Sequence, residues 1–171
     1  LSATGTMLTL GLKSYRIPAI ERIIIYPNQY FSKLNKQNHI GEYNPALKTL
    51  VFSAAHVKQG FEIPNDNKNL GIHEFAHALS FNSILESTRE ARLFRMQIVK
   101  VNDLFEAPEF ILKMNKISYF RAYGRANMHE FFAVATENYV ETPKQFYNEF
   151  PELYKIIGKM LNFDFHDPVE N

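Results

Sequence analysis

The chain has 171 residues, 46% of them hydrophobic, including 15 Phe and 9 Tyr; that is enough for one core, and a core rich in aromatic rings. Lys and Arg number 19 against 18 Asp and Glu, a net charge of +1, so nothing in the balance points to nucleic acid or to a solvating acidic tail. Cysteine is absent, which excludes disulfides and thiolate metal sites, and no apolar run approaches the roughly 20 residues of a membrane span.

Residues 1–15 are mildly apolar and read as a short helix or an entry segment, interrupted by Pro18. The chain opens on Leu1 rather than Met, with no basic stretch ahead of its apolar residues. We therefore expect a processed or trimmed piece without a surviving signal peptide. Ile20 to Tyr26 is a β-branched run closed by Pro27, expected to be a central strand covered on both faces. Residues 28–44 are polar, with Gly41 and Asn44-Pro45 as turn signals. Thr49 to Ala55 is a second strand candidate, and residues 57–68 read as a loop in which Asn67 or Asn69 can cap the next helix.

That helix carries His73-Glu74-Phe75-Ala76-His77, a His-Glu-x-x-His pattern. Residues four apart share a helix face, so the two imidazoles can bind one metal ion as neighbours. Glu74 lies about 100° round the axis from His73. It flanks the ion, where a general base for an activated water belongs. Leu70, Ile72, Phe75, Ala76, Leu79 and Ile84 surround these polar groups with apolar surface, so the helix should be buried. With no cysteine, any zinc here must be held by His and carboxylate. The pattern resembles that of zincin-type zinc peptidases, and that resemblance implies that the strand just before this helix forms the sheet edge on which an extended peptide lies.

Residues 86–101 read as a second helix, whose Arg89, Arg92 and Arg95 form a solvated face. Residues 102–118 are less regular and contain Pro108, and 119–127 form a loop. Met128 to Glu141 is a further buried helix ended by Pro143; residues 144–165 form one or two covering helices broken near Pro151. His39, His56 and His166 lie outside any ligand spacing and are expected on the surface or in loops.

Catalytic zinc sites usually take three protein ligands. Candidates for the third are Glu86, Glu90, His129, Glu130 and Glu137. Glu86 would lie roughly 13 Å beyond His77 along one helix and on its opposite face. Glu130 is the better candidate because a helix distant in sequence can pack across the first. Its competing role is a capping partner, since Asn127 and Glu130 have capping-box spacing. His129 is the runner-up. Glu130 and Glu137 share a face of an apolar helix, and buried carboxylates there need donors, cations or a metal.

Two segments, His73-Glu-Phe-Ala-His-Ala-Leu79 and Glu130-Phe-Phe-Ala-Val-Ala-Thr-Glu-Asn-Tyr139, resemble the Mlc titration factor A family of zinc peptidases. Ile25-Tyr26-Pro27, Pro151-Glu152-Leu153-Tyr154 and Asp167-Pro168 extend the likeness. The same elements, with Tyr123 to Asn127, are similar to the catalytic domain of anthrax lethal factor. The resemblance implies an α+β, zincin-like domain over residues 1–171. In it a small mixed sheet packs on the His-Glu-x-x-His helix and on a second buried helix carrying the third ligand. It implies zinc held by His73, His77 and Glu130, Glu74 as catalytic base and acid, and Tyr123 as a transition-state donor. It leaves Glu137 as an acid without an assigned role, which we read as a partner to a zinc-binding histidine. This chain departs from the pattern at Ser80, where both relatives carry Asp. The helical N-terminal segment of the titration factor is expected to be missing or trimmed, and no residue here identifies its repressor-binding surface, so that role is not carried over.

The expected activity is zinc-dependent hydrolysis of peptide bonds in a peptide or protein substrate, without nucleic acid or membrane partners, in the cytoplasm. The alternative is a zinc-binding regulatory module that is weakly active or inactive and binds a protein partner.

Overall fold

The structure is a computed structural model and describes residues 1–32 and 36–166; Asp167 and Pro168 lie outside them. It is a mixed α+β arrangement with eight α-helices and five short strands among the described residues. Helix α1 (Ser2–Thr9) is followed by strands β1 (Arg22–Tyr26), β2 (Tyr30–Ser32), β3 (Gln37–His39), β4 (Gly41–Asn44) and β5 (Thr49–Ser53). Seven helices follow: α2 (Ala54–Glu62), α3 (Leu70–Leu85), α4 (Arg89–Glu106), α5 (Pro108–Lys116), α6 (Met128–Glu141), α7 (Pro143–Glu149) and α8 (Pro151–Leu161).

The main sheet has the order β1-β5-β4, with β1 parallel and β4 antiparallel to β5. β2 and β3 form a separate antiparallel pair. This corrects two expectations. The Ile20 to Tyr26 run is an outer strand, with Ile23, Ile25 and Tyr26 exposed. The central strand is β5, whose Leu50 and Phe52 are fully buried. A β-branched apolar run favours a strand but does not place it within the sheet. The free edge beside the histidine helix belongs to β4, which comes from the stretch read as turns. Gly41 allows this: a Cβ there would lie 2.5 Å from Leu70 Cδ1 and 2.8 Å from Glu74 Oε1, so only a residue without a side chain lets β4 approach α3 so closely.

Two further expectations are revised. The second strand candidate ends at Ser53, and residues 54–62 form a helix where its last two residues and the start of a loop are expected; residues 102–116 continue α4 and then form α5, with Pro108 as the first residue of the new helix. Arg95 is not on a solvated face. Its guanidinium bonds the carbonyls of Ser83 and Glu86 (3.0 Å to the latter) and so closes the C-terminus of α3.

α3 and α6 form the centre. Asn69 caps α3, its Oδ1 accepting from Ile72 N–H at 3.1 Å, and α3 is buried from Gly71 to Ala76 and again at Ala78 and Leu79. α6 is buried over nine consecutive residues, Phe131 to Tyr139. Phe131 packs against the rings of Phe105, Phe110 and Phe120, and each such ring contributes about 1.5–3 kcal/mol by leaving water. The last turn of α3 departs from the expected burial, with Ile84 and Leu85 exposed, but the buried lengths of both helices cannot slide or rotate freely, which fixes the polar groups they carry.

Candidate metal centre

α3 presents His73 and His77 on one face, and the first turn of α6 brings Glu130 to them. His73 Nε2 lies 3.0 Å from Glu130 Oε2 and 3.2 Å from His77 Nε2; His77 Nε2 lies 3.6 Å from the same oxygen. Four-coordinate zinc with bonds of about 2.0–2.1 Å would hold its ligands roughly 3.3 Å apart, so the donor triangle has the right size. Among the described residues it is the one group of three such side chains close enough to share an ion.

The hydrogen-bond inventory supports the same conclusion. His73 Nδ1–H donates to Glu137 Oε1 at 2.7 Å, which leaves a lone pair on Nε2 when the ring is neutral. That lone pair faces a carboxylate oxygen and a second imidazole nitrogen. Three acceptors converging within 3.6 Å are stable only around a proton or a cation. The protein alone takes the proton. Burial opposes the charge on His73, but hydrogen bonds to Glu130 and Glu137 outweigh it and raise the pKa to about 9. At Glu130 burial opposes the charge, but the hydrogen bonds to His73 and His77 outweigh it and lower its pKa. A metal ion can replace that proton.

Glu137 is fully buried and fully used. Besides His73 it accepts from Asn69 N–H at 2.7 Å and from the Arg121 guanidinium. The cap of α3, the inner histidine and the chain before α6 are thus joined at one carboxylate. Glu130 does not close a capping box with its side chain. Asn127 Oδ1 accepts from Glu130 N–H at 3.0 Å, while the Glu130 carboxylate turns to the histidines.

Glu74 stands beside the triangle and outside it. It is buried, 6% exposed, and burial raises its pKa, so its carboxylate is ready to take a proton. Tyr123 sits on the 3-10 turn Ala122–Arg125, its ring centroid 5.8 Å from that of His73 and 5.5 Å from the Arg121 guanidinium carbon. Burial and then the neighbouring Glu130 and Glu74 charges raise the pKa of its phenol, which keeps it a hydrogen-bond donor. His129 is exposed on the rim. Glu86 and Glu90 lie away from the histidines, on the wall of a different hollow that holds Leu12 and Phe94.

A family model described as glucose-regulated metallo-peptidase M90 matches residues 1–161. The chain belongs to this family. It is also similar to an uncharacterised protein of Synechocystis sp., 23% identical over 175 residues that take in 93% of this chain. The chain spans 63% of the length of that relative. Family membership implies a metal ion, and the three convergent donors fit one.

In this metallopeptidase family member the sequence misses three parts of the site. Arg121 has no motif, only a place in a loop. Gly41 reads as a turn yet seats an edge strand over Glu74. His39, expected in a loop or on the surface, lines the cleft on both sides of Glu74. No helix among the described residues is long and apolar enough to cross a membrane.

Proposed function

We propose that the chain is a zinc-dependent peptidase with a zincin-like arrangement, in which His73, His77 and Glu130 hold the ion. The observation that carries this reading is the triangle of acceptors at 3.0–3.6 Å with a buried carboxylate, Glu74, beside it. Two imidazoles and one carboxylate, without thiolate, suit zinc. Bound there, zinc would supply Lewis acidity to a water and to the scissile carbonyl.

The protein's own groups would do the rest. The free edge of β4 aligns an extended peptide by main-chain hydrogen bonds. Glu74 accepts a proton from the attacking water and passes it to the leaving amine as the C–N bond breaks. The Tyr123 hydroxyl donates to the oxygen that gains charge in the transition state. Glu137 keeps the His73 ring oriented with its Nε2 lone pair toward the ion. We place the protein in the cytoplasm on the family resemblance; cell fractionation tests this.

The test is metal content together with turnover of a quenched peptide library, with and without chelator. About one zinc per chain with chelator-sensitive cleavage is the expected result. Zinc without turnover would favour a regulatory module that binds a protein partner. No retained metal at all would overturn both readings.

A further inference from the structure

The cleft has two halves that meet at His39, Gly41, His73, Glu74 and Tyr123. One half, about 490 Å³, runs along α3 past Tyr43 and Phe81 and bears the acids Glu42 and Glu130. The other, about 590 Å³, lies beyond Gly41, and its lining sets two cations against two acids. Lys68 and Arg121 stand in it, with His56 and Gln59 between β5 and α3. Among the described residues its only acids are Glu74 and Glu137, and Glu137 is taken up by three donors.

Several of these donors are held in place yet not consumed. Lys68 is exposed and, among the described residues, has no carboxylate within 4.0 Å of its ammonium group; the Asp66 carboxylate is held by the Lys68 backbone N–H. Lys68 lies between Asn67, fixed in a left-handed conformation (φ 59°) with its side chain bonded to Thr142, and the cap residue Asn69. His56 Nδ1 is 2.7 Å from Ser53 Oγ; with that hydroxyl donating, Nε2 carries the proton into the cleft. Arg121 Nε and His39 Nε2 are both buried without a partner, which is costly unless something binds them.

The strand supplies a direction. β4 runs from Gly41, beside Glu74, to Asn44, with Tyr43 next to Phe81. A peptide pairing antiparallel with it runs the other way. Its N-terminal part lies in the acidic half, and its C-terminal part enters the half with Lys68 and Arg121.

We propose that the half beyond Gly41 is a carboxylate-binding subsite that selects peptides carrying an anionic group on the C-terminal side of the cleaved bond. Lys68 supplies the charge, since that of Arg121 is already paired with Glu137, and Arg121 Nε, His56 and His39 add directed hydrogen bonds. The carboxylate comes from a free C-terminus or from an Asp or Glu side chain. The inference rests on the peptidase reading for its direction, but its binding chemistry stands apart from turnover.

The test uses the full chain in two non-hydrolysing forms, Glu74→Gln and chelator-treated wild type. Four fluorescently labelled peptides of one sequence carry either a C-terminal carboxylate or an amide, and either Glu or Gln two residues from that end. Affinity is read by anisotropy at low and moderate salt. A carboxylate should tighten binding by about tenfold, less at higher salt. Lys68→Ala should abolish that preference and Lys68→Glu should reverse it. Preference for the free C-terminus or for the Glu side chain identifies the source. Equal affinity for all four peptides overturns the subsite, as does a preference that survives both Lys68 variants. Carboxylate preference in a wild-type protein that turns over nothing in the quenched library keeps the subsite and sinks the peptidase reading. Cleavage without preference does the reverse.

Discussion

His73 and His77 come from one motif and one helix face, yet the structure treats them differently. The His73 side chain is 6% exposed and held from behind by Glu137, itself fastened by Asn69 and Arg121. The His77 side chain is 19% exposed. Among the described residues, Glu130 provides the only carboxylate within 4.0 Å of its ring nitrogens. One imidazole is oriented before any ion arrives; the other depends on the ion and on Glu130. In this half-supported triangle, holding the metal and doing chemistry should be separable.

The largest effect should come from the residue between the two histidines that lies outside the donor triangle. Glu74→Gln leaves both imidazoles and Glu130 intact, so zinc should stay at wild-type stoichiometry while peptide turnover falls by about a thousandfold or more. Metal analysis and turnover on the same sample check this; full activity would remove Glu74 from the mechanism.

Breaking the support of His73 should be next. Glu137→Gln keeps the volume but weakens the acceptor for His73, Asn69 and Arg121. Metal affinity should fall by about 10–100-fold, measured by competition with a calibrated chelator. Thermal stability should also fall, because the Arg121 guanidinium loses its charge partner while half-buried. Tyr123→Phe should leave metal affinity untouched and lower kcat by roughly tenfold with little change in KM. An unchanged kcat would make Tyr123 a wall of the cleft.

The proton on His73 gives a pH test. In the metal-free protein its pKa is raised from 6.5 to about 9. The raised value means a stabilisation that is full below about pH 6.5 and lost as pH rises through about 9. The Tm of the metal-free form should therefore fall across that window, while zinc-loaded protein, with a neutral His73, should not follow it. Zinc binding near pH 7.5 should release about one proton, read by calorimetry in buffers of different ionisation enthalpy. Zinc binding without proton release would mean that His73 is neutral before the ion enters.

The sequence makes the helical part of the site legible and leaves the sheet part obscure, for physical reasons. The His73–His77 spacing and the unbroken burial of residues 131–139 are local, and a helix turns local spacing into shared faces. The edge strand is four residues long, polar, and begins at Gly41, so its strand character comes from pairing with β5 and from the space above Glu74. Likewise Arg121 and His39 acquire roles only through contacts dozens of residues away, and no local pattern encodes those.

Ser80 sharpens the comparison from the weak side. It lines the cleft near His77, one helical turn along from it, where residues three apart are neighbours. Its hydroxyl is too short to do for His77 what Glu137 does for His73. Ser80→Asp supplies a carboxylate at that spacing. If the missing support limits the site, metal affinity should rise by up to about tenfold, and the Glu137→Gln defect should be partly offset in the double variant. If the carboxylate that Ser80→Asp introduces adds only negative charge near Glu130, zinc affinity would rise while proton release and turnover stayed fixed. An affinity that does not move would show that His77 is already oriented by the packing of α3, and that the asymmetry between the two imidazoles carries no energetic weight.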